Sequence, residues 1–194
     1  VQTCALPIYL YTSNEAINTQ AEYIRDGLDW SAWINNMHKL ASSNQLRGLH
    51  VMCTINALCL DSLPEFIDFM VVLKHQYGIN YPNFTLNILR FPSFQSPLVL
   101  SDDLRTYYRN RLIQVLTRYQ NQDILQEHEH NHLQRLIDYL DIVKTPHSEA
   151  FELDKLRNDF KQFYTQYDQR RNKNFYTSFP ELIEWYDSIQ IQQQ

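Results

Sequence analysis

Apolar positions along this chain recur first with the short period of strands and then with the longer period of helices. Residues 8–12, Ile-Tyr-Leu-Tyr-Thr, form a β-favouring run that breaks into Ser13, Asn14 and Glu15, polar side chains where a strand leaves its sheet. A short helical stretch follows and closes on Ile24-Arg25-Asp26-Gly27. Asp29 then stands where a helix cap belongs, and Trp30, Trp33, Ile34, Met37, Leu40 and Ala41 repeat at helical spacing, which predicts a helix over 29–41. Residues 49–54 are short, apolar and preceded by Gly48, as suits a buried parallel strand, and this run also exits on polar groups, Thr54 and Asn56. Ser62-Leu63-Pro64-Glu65 has the pattern of a capping box, and its helix, with Phe66, Ile67, Met70 and Leu73 inward, should end near Gly78. A third strand is expected over 84–89, followed by a Pro-marked loop over 90–97.

The order β-α-β-α-β favours a parallel sheet with right-handed crossovers. Beyond Ser101 only helical patterns remain. They cover 101–119 with a basic face, 124–143, a stretch from Thr145-Pro146 to about 169, and a short helix from Pro180, with a frayed Gln-rich end over 190–194. The fold class read from these patterns is α/β, with about three parallel strands and crossover helices, then a helical carboxyl-terminal region. The units are 9–100 and 101–190. Residues 1–8, VQTCALPI, lack an initiator Met and read as translated sequencing read-through, so Cys4 is set aside from site reasoning.

Composition narrows the classes. The 194 residues suffice for one domain with an appendage, and a formal charge of -5 argues against a generic nucleic-acid surface. No run of about 18 apolar residues and no basic-then-apolar leader is present, so neither a membrane span nor a signal peptide is expected. Three cysteines without such a leader point to a reducing compartment, the cytoplasm. The three glycines, Gly27, Gly48 and Gly78, lie too far apart for a phosphate-cradling loop.

In parallel sheets ligands collect at the carboxyl ends of the strands, so the polar strand exits are the first suspects for binding. Their order carries a resemblance. Ser13-Asn14-Glu15, Tyr23-Ile24-Arg25-Asp26-Gly27 and Thr54-Ile55-Asn56 resemble the second half of a radical S-adenosylmethionine (SAM) barrel. In relatives with a twitch or SPASM extension the fourth strand commonly ends in Ser-hydrophobe-acid, an Ile-Arg follows, and the fifth strand ends near an Asn. The phrases Gln20-Ala21-Glu22-Tyr23-Ile24-Arg25, Asn87-Ile88-Leu89-Arg90-Phe91-Pro92, Arg170-Arg171 and Phe179-Pro180-Glu181 are similar to those of iron–sulfur oxidoreductases of that kind.

The resemblance implies an iron–sulfur oxidoreductase, SAM as cofactor, and a [4Fe–4S] cluster in the full-length protein. Ser13 and Glu15 would face the ribose hydroxyls of SAM. Arg25 would hold its aminoacyl carboxylate, Asn56 would contact the adenosyl or aminoacyl part, and Arg90 would reach cofactor or substrate. The family's C-x3-C-x2-C signature is missing here, since Cys4, Cys53 and Cys59 are differently spaced. The chain is therefore expected to be the carboxyl part of a longer protein, unable to generate a radical alone. It is also expected to self-associate through an exposed edge of its first strand. The substrate is not legible.

Each candidate has a plain alternative. Ser13 can cap a helix; Arg25 can pair on the surface with Glu22 or Asp29; Asn56 can shape a turn; Arg90 can join a structural pair. Cys53 and Cys59 read as buried small residues. His128 and His132 share a helix face and could hold a metal with Glu129, or mark a solvated helix end. Arg109, Arg111, Arg118, Arg170, Arg171 and Lys173 form a solvated basic face or a phosphate contact. The rival to the enzyme reading is a non-catalytic α/β-plus-helical interaction module.

Overall fold

Three strands pair in parallel in the order β1-β2-β3: β1 is Ile8–Ser13, β2 Leu46–Ile55 and β3 Asn83–Ile88. The computed structural model describes residues 8–43, 46–78, 81–142 and 153–190. Cys4, most of the read-through segment, the start expected for the 145–169 helix and residues 191–194 lie outside the described residues.

The helices, in chain order, are α1 Asn18–Ile24, α2 Trp30–Ala41, α3 Leu63–Tyr77, α4 Asp102–Tyr119, α5 Glu127–Leu140, α6 Leu153–Arg171, α7 Phe175–Ser178 and α8 Ile183–Ser188. The fold is thus α/β and mostly helical. No helix among the described residues is long and apolar enough to cross a membrane.

On β2 the alternation of side chains decides the layers. Leu49, Val51, Cys53 and Ile55 are all fully buried, and Trp30, Trp33 and Met37 of α2 join Phe66, Ile67, Met70 and Leu73 of α3 in the same core. The opposite face stays open: Tyr9 and Tyr11 of β1 and Met52 of β2 are exposed, and the Tyr11 ring stacks on His50 at 5.0 Å. Gly48 permits this, because a Cβ there would sit 2.6 Å from Cδ1 of Tyr9.

Caps explain several helix limits. The Asp29 carboxylate accepts from the Ala32 amide at 2.8 Å, and Ser101 Oγ accepts from Leu104 at 3.4 Å. Gly78, at a φ of +105°, ends α3 in a conformation that other residues rarely adopt. The expected capping box at Ser62 does not form. Ser62 is itself helical (φ -91°, ψ -2°) and its hydroxyl makes no cap bond, while Glu65 pairs with Arg111 of α4. The capping box is found instead at Gln126 and Glu129.

Glu129 is also the hub of the sheet's far edge. One of its oxygens accepts the Phe84 amide of β3 at 2.9 Å; the other accepts Lys74 Nζ of α3 at 2.8 Å and the Gln126 amide at 2.8 Å. His132 Nδ1 accepts the Leu86 amide at 3.2 Å, and Arg135 donates to the Leu86 carbonyl at 2.6 Å. Residues 129, 132 and 135 share one helix face, so α5 satisfies the outer edge of β3 with side chains. α5 packs on β3 and α4, and α6 on the loop after β3, within one continuous core reaching from Ala16 to Ile189.

Candidate functional site

Because the strands are parallel, their carboxyl ends meet on one rim, and each exit is fixed by a local side chain. Beyond β1, the Asn14 carbonyl Oδ1 accepts the amides of Glu15 at 3.0 Å and Ala16 at 3.5 Å, which turns the chain over the rim. Beyond β2, Asn56 Oδ1 accepts the amides of Leu58 at 2.9 Å and Cys59 at 3.3 Å, and its Nδ2 donates to the Thr54 carbonyl at 3.2 Å. Beyond β3, Leu89 donates to the Ile55 carbonyl at 2.8 Å, and the following loop returns Gln95, whose carbonyl accepts the Ala57 amide at 3.0 Å.

These turns leave Glu15 almost wholly buried, 2% exposed, at the floor of the rim. Its Oε2 accepts Arg25 Nη2 at 2.5 Å, Arg25 Nε at 3.2 Å and the Thr54 amide at 3.3 Å, while none of these bonds uses Oε1. Burial raises the Glu15 carboxyl above its ordinary range, and the Arg25 charge and hydrogen bonds work against that rise. The sequence offered Glu22 or Asp29 as structural partners for Arg25; the structure pairs it with Glu15 instead.

A cleft of about 340 Å³ opens above this pair, lined by Glu15, Arg25, Thr54, Asn56, Leu89 and Gln95 and roofed by Tyr23, Phe163, Tyr164 and Tyr167. The roof comes from α1 and α6, which are strapped together. Tyr167 donates to the Tyr23 carbonyl at 2.8 Å, and Tyr23 donates to Asp168 at 2.7 Å. Arg171 meets Asp26 at 2.9 Å, and Lys173 donates to the Glu22 carbonyl at 3.1 Å.

Of the residues singled out by sequence, Glu15, Arg25 and Asn56 line the cleft. Ser13 and Arg90 do not. Ser13 is exposed at the end of the edge strand, and Arg90 is exposed with its guanidinium 5.8 Å from the Tyr139 ring centroid. Sequence reasoning missed Gln95 and the α6 aromatics Phe163, Tyr164 and Tyr167. The signal lay in Tyr164 and Tyr167, whose spacing of three puts two hydroxyl-bearing rings on one face.

Cys53 and Cys59 are fully buried free thiols, and burial, helped by the Glu15 charge, pushes both up. Among the described residues no group of three or more His, Cys, Asp or Glu is placed to hold a metal ion. Of the basic face, Arg111 meets Asp61 and Glu65, Arg118 meets Asp68, and Arg109 meets Asp141. Comparison of the chain with family models, with curated proteins and with solved structures gave no match.

Proposed function

We propose that this chain forms the carboxyl part of a radical SAM barrel and that its rim cleft receives SAM, in an iron–sulfur oxidoreductase acting on a substrate still to be identified. One observation carries the reading. Three residues from separate segments of the chain, Glu15, Arg25 and Asn56, come together in a cleft at the carboxyl rim of a parallel sheet.

The cleft suits the cofactor. Its volume of about 340 Å³ lies within the range of roughly 300–1,000 Å³ usual for small-molecule sites. The Glu15 oxygen not engaged by Arg25 and Thr54 is an acceptor for ribose hydroxyls. Arg25 is a partner for a carboxylate, and the rings of Tyr164 and Tyr167 offer flat apolar surface to a purine. When bound and reduced through a [4Fe–4S] cluster, SAM supplies hydrogen-atom abstraction from a substrate. The chain's residues bind and orient it, and the α6 roof limits water.

The cluster itself does not fit the described thiols. Cys53 and Cys59 are fully buried and held protonated, the wrong state for iron ligands, so the cluster's ligands lie elsewhere in the full protein. A reducing cytoplasm suits both the free thiols and such a cluster.

A second reading, a non-catalytic interaction module, is favoured by one observation: the Asn56 amide is engaged in its own turn. Calorimetric titration with SAM separates the two. The enzyme reading expects saturable binding, weakened about tenfold or more by Arg25→Met and by Glu15→Gln, since each removes a charge-assisted contact. No saturable binding by the folded wild-type chain decides for the module.

A further inference from the structure

Gln20 and the Phe179-Pro180-Glu181 phrase, both conspicuous in the sequence, meet in a second cleft that the rim site leaves unexplained. Gln20 Nε2 donates to Glu181 Oε1 at 3.0 Å. Around them a cleft of about 320 Å³ is walled by the start of α1, the entry to α3 and the turn between α7 and α8. Asp61, Ser62, Glu65 and Glu181 line it together with Gln20.

Charge and hydrogen-bonding capacity are both unbalanced here. Arg111 engages Asp61 at 2.8 Å and Glu65 at 2.5 Å, so one cation answers two carboxylates before Glu181 is counted. Ser62 and Gln20 are 4% and 9% exposed, yet Ser62 Oγ and Gln20 Oε1 find no hydrogen-bond partner. The hydroxyl of Tyr108, 1% exposed and close enough to feel the charges of Asp61 and Glu181, is likewise without a partner. Buried polar groups in native proteins are almost always satisfied, so two such atoms on the lining of one acidic cleft point to a ligand that donates.

We infer that this cleft binds a primary ammonium group, the charged end of a small amine. An ammonium carries three donors and no acceptor, and three residues lining the cleft carry acceptors: Gln20 its unpartnered carbonyl, Ser62 its unpartnered hydroxyl and Glu181 its carboxylate. A divalent metal suits the site less well, because two of its three carboxylates already serve Arg111. The state of Glu181 agrees. Burial and the neighbouring Asp61 push its carboxyl up to about 7, with Gln20 and Arg111 opposing. A bound cation would draw it back toward the ordinary range. The groups facing Glu181 are Gln20 of α1, Asp61 before α3, and Arg111 and Tyr108 of α4.

The test uses methylammonium chloride, with tetramethylammonium chloride at equal ionic strength as a cation that has no donor. Amide NMR shifts at Gln20, Ser62 and Glu181 should saturate with methylammonium, and the carboxyl carbon of Glu181 should titrate at lower pH in its presence. Glu181→Gln and Ser62→Ala should each weaken the binding about tenfold, the loss of one hydrogen bond to a charged group. The wild-type Glu181 titration needs no variant and keeps the test decisive if a variant unfolds. Shifts that are equal for the two cations, fail to saturate, or leave the Glu181 titration unmoved overturn the assignment.

Discussion

Replacing Glu129 by alanine removes one side chain on which three elements depend. Its carboxylate holds Lys74 Nζ of α3 at 2.8 Å, the Phe84 amide of β3 at 2.9 Å and the Gln126 amide at the start of α5 at 2.8 Å. Glu129 and Lys74 are both 0% exposed. Removing one partner of a buried pair costs about 3–5 kcal/mol, because the other charge is left in a medium that solvates it poorly. The Phe84 amide and the helix cap would each add about 1 kcal/mol if independent. They share one carboxylate, so the terms do not sum, and we expect a loss of about 4–5 kcal/mol. That is a large part of the roughly 5–15 kcal/mol by which domains are stable. Urea unfolding at neutral pH measures it as a lowered midpoint with the denaturant slope unchanged. Pairing Glu129→Leu with Lys74→Met should recover at least half of the loss, since an apolar pair leaves no charge stranded. A loss below about 1 kcal/mol for Glu129→Ala would refute the claim that this carboxylate fastens α3, α5 and β3 together.

Gly48→Ala should destabilise by about 1–3 kcal/mol in thermal unfolding, because the new methyl would meet the Tyr9 ring at 2.6 Å. The Glu181 carboxyl is raised from 4.5 to about 7, so the folded chain keeps a proton that the unfolded chain has lost. The stability it contributes is present below pH 4.5 and gone by about pH 7; urea midpoints across that window should show a fall in its contribution that Glu181→Gln flattens. The edge of β1 away from β2 has no strand partner among the described residues, and Ile8, Tyr9 and Tyr11 are exposed along it. Sedimentation should therefore detect concentration-dependent association that Tyr11→Lys reduces, and a strictly monomeric wild type would show that the edge does not pair.

The parallel core was legible because each of its signals was local. The apolar run from Leu49 reads as a buried strand whatever surrounds it, and Asp29 and Gly78 mark helix ends through their own backbone and side-chain chemistry. Glu15, Arg25 and Asn56 were legible as polar strand exits, but their bonding was not. Arg25 reaches back across the rim to Glu15, not along its own helix, and that depends on the fold of the intervening loop. Ser62 failed for a similar reason. The local pattern of a capping box was present, but Glu65 is drawn to Arg111 of α4, a partner invisible at short range.

The histidines show the limit most clearly. Read alone, His128 and His132 are two imidazoles on one face; in the structure His132 serves the Leu86 amide between Glu129 and Arg135. Only the position of α5 against an open sheet edge gives that spacing its meaning.

If the rim cleft is built for SAM, an NMR footprint of S-adenosylhomocysteine on the wild-type chain will show it. This ligand carries the same adenosine and amino-acid groups without the sulfonium charge. Saturable shifts are expected at Glu15, Arg25, Thr54 and Gln95, with ring-current changes at Tyr164 and Tyr167 and none around Glu181. Shifts confined to other surfaces, or no saturable shift at all, would contradict a SAM site in the rim cleft.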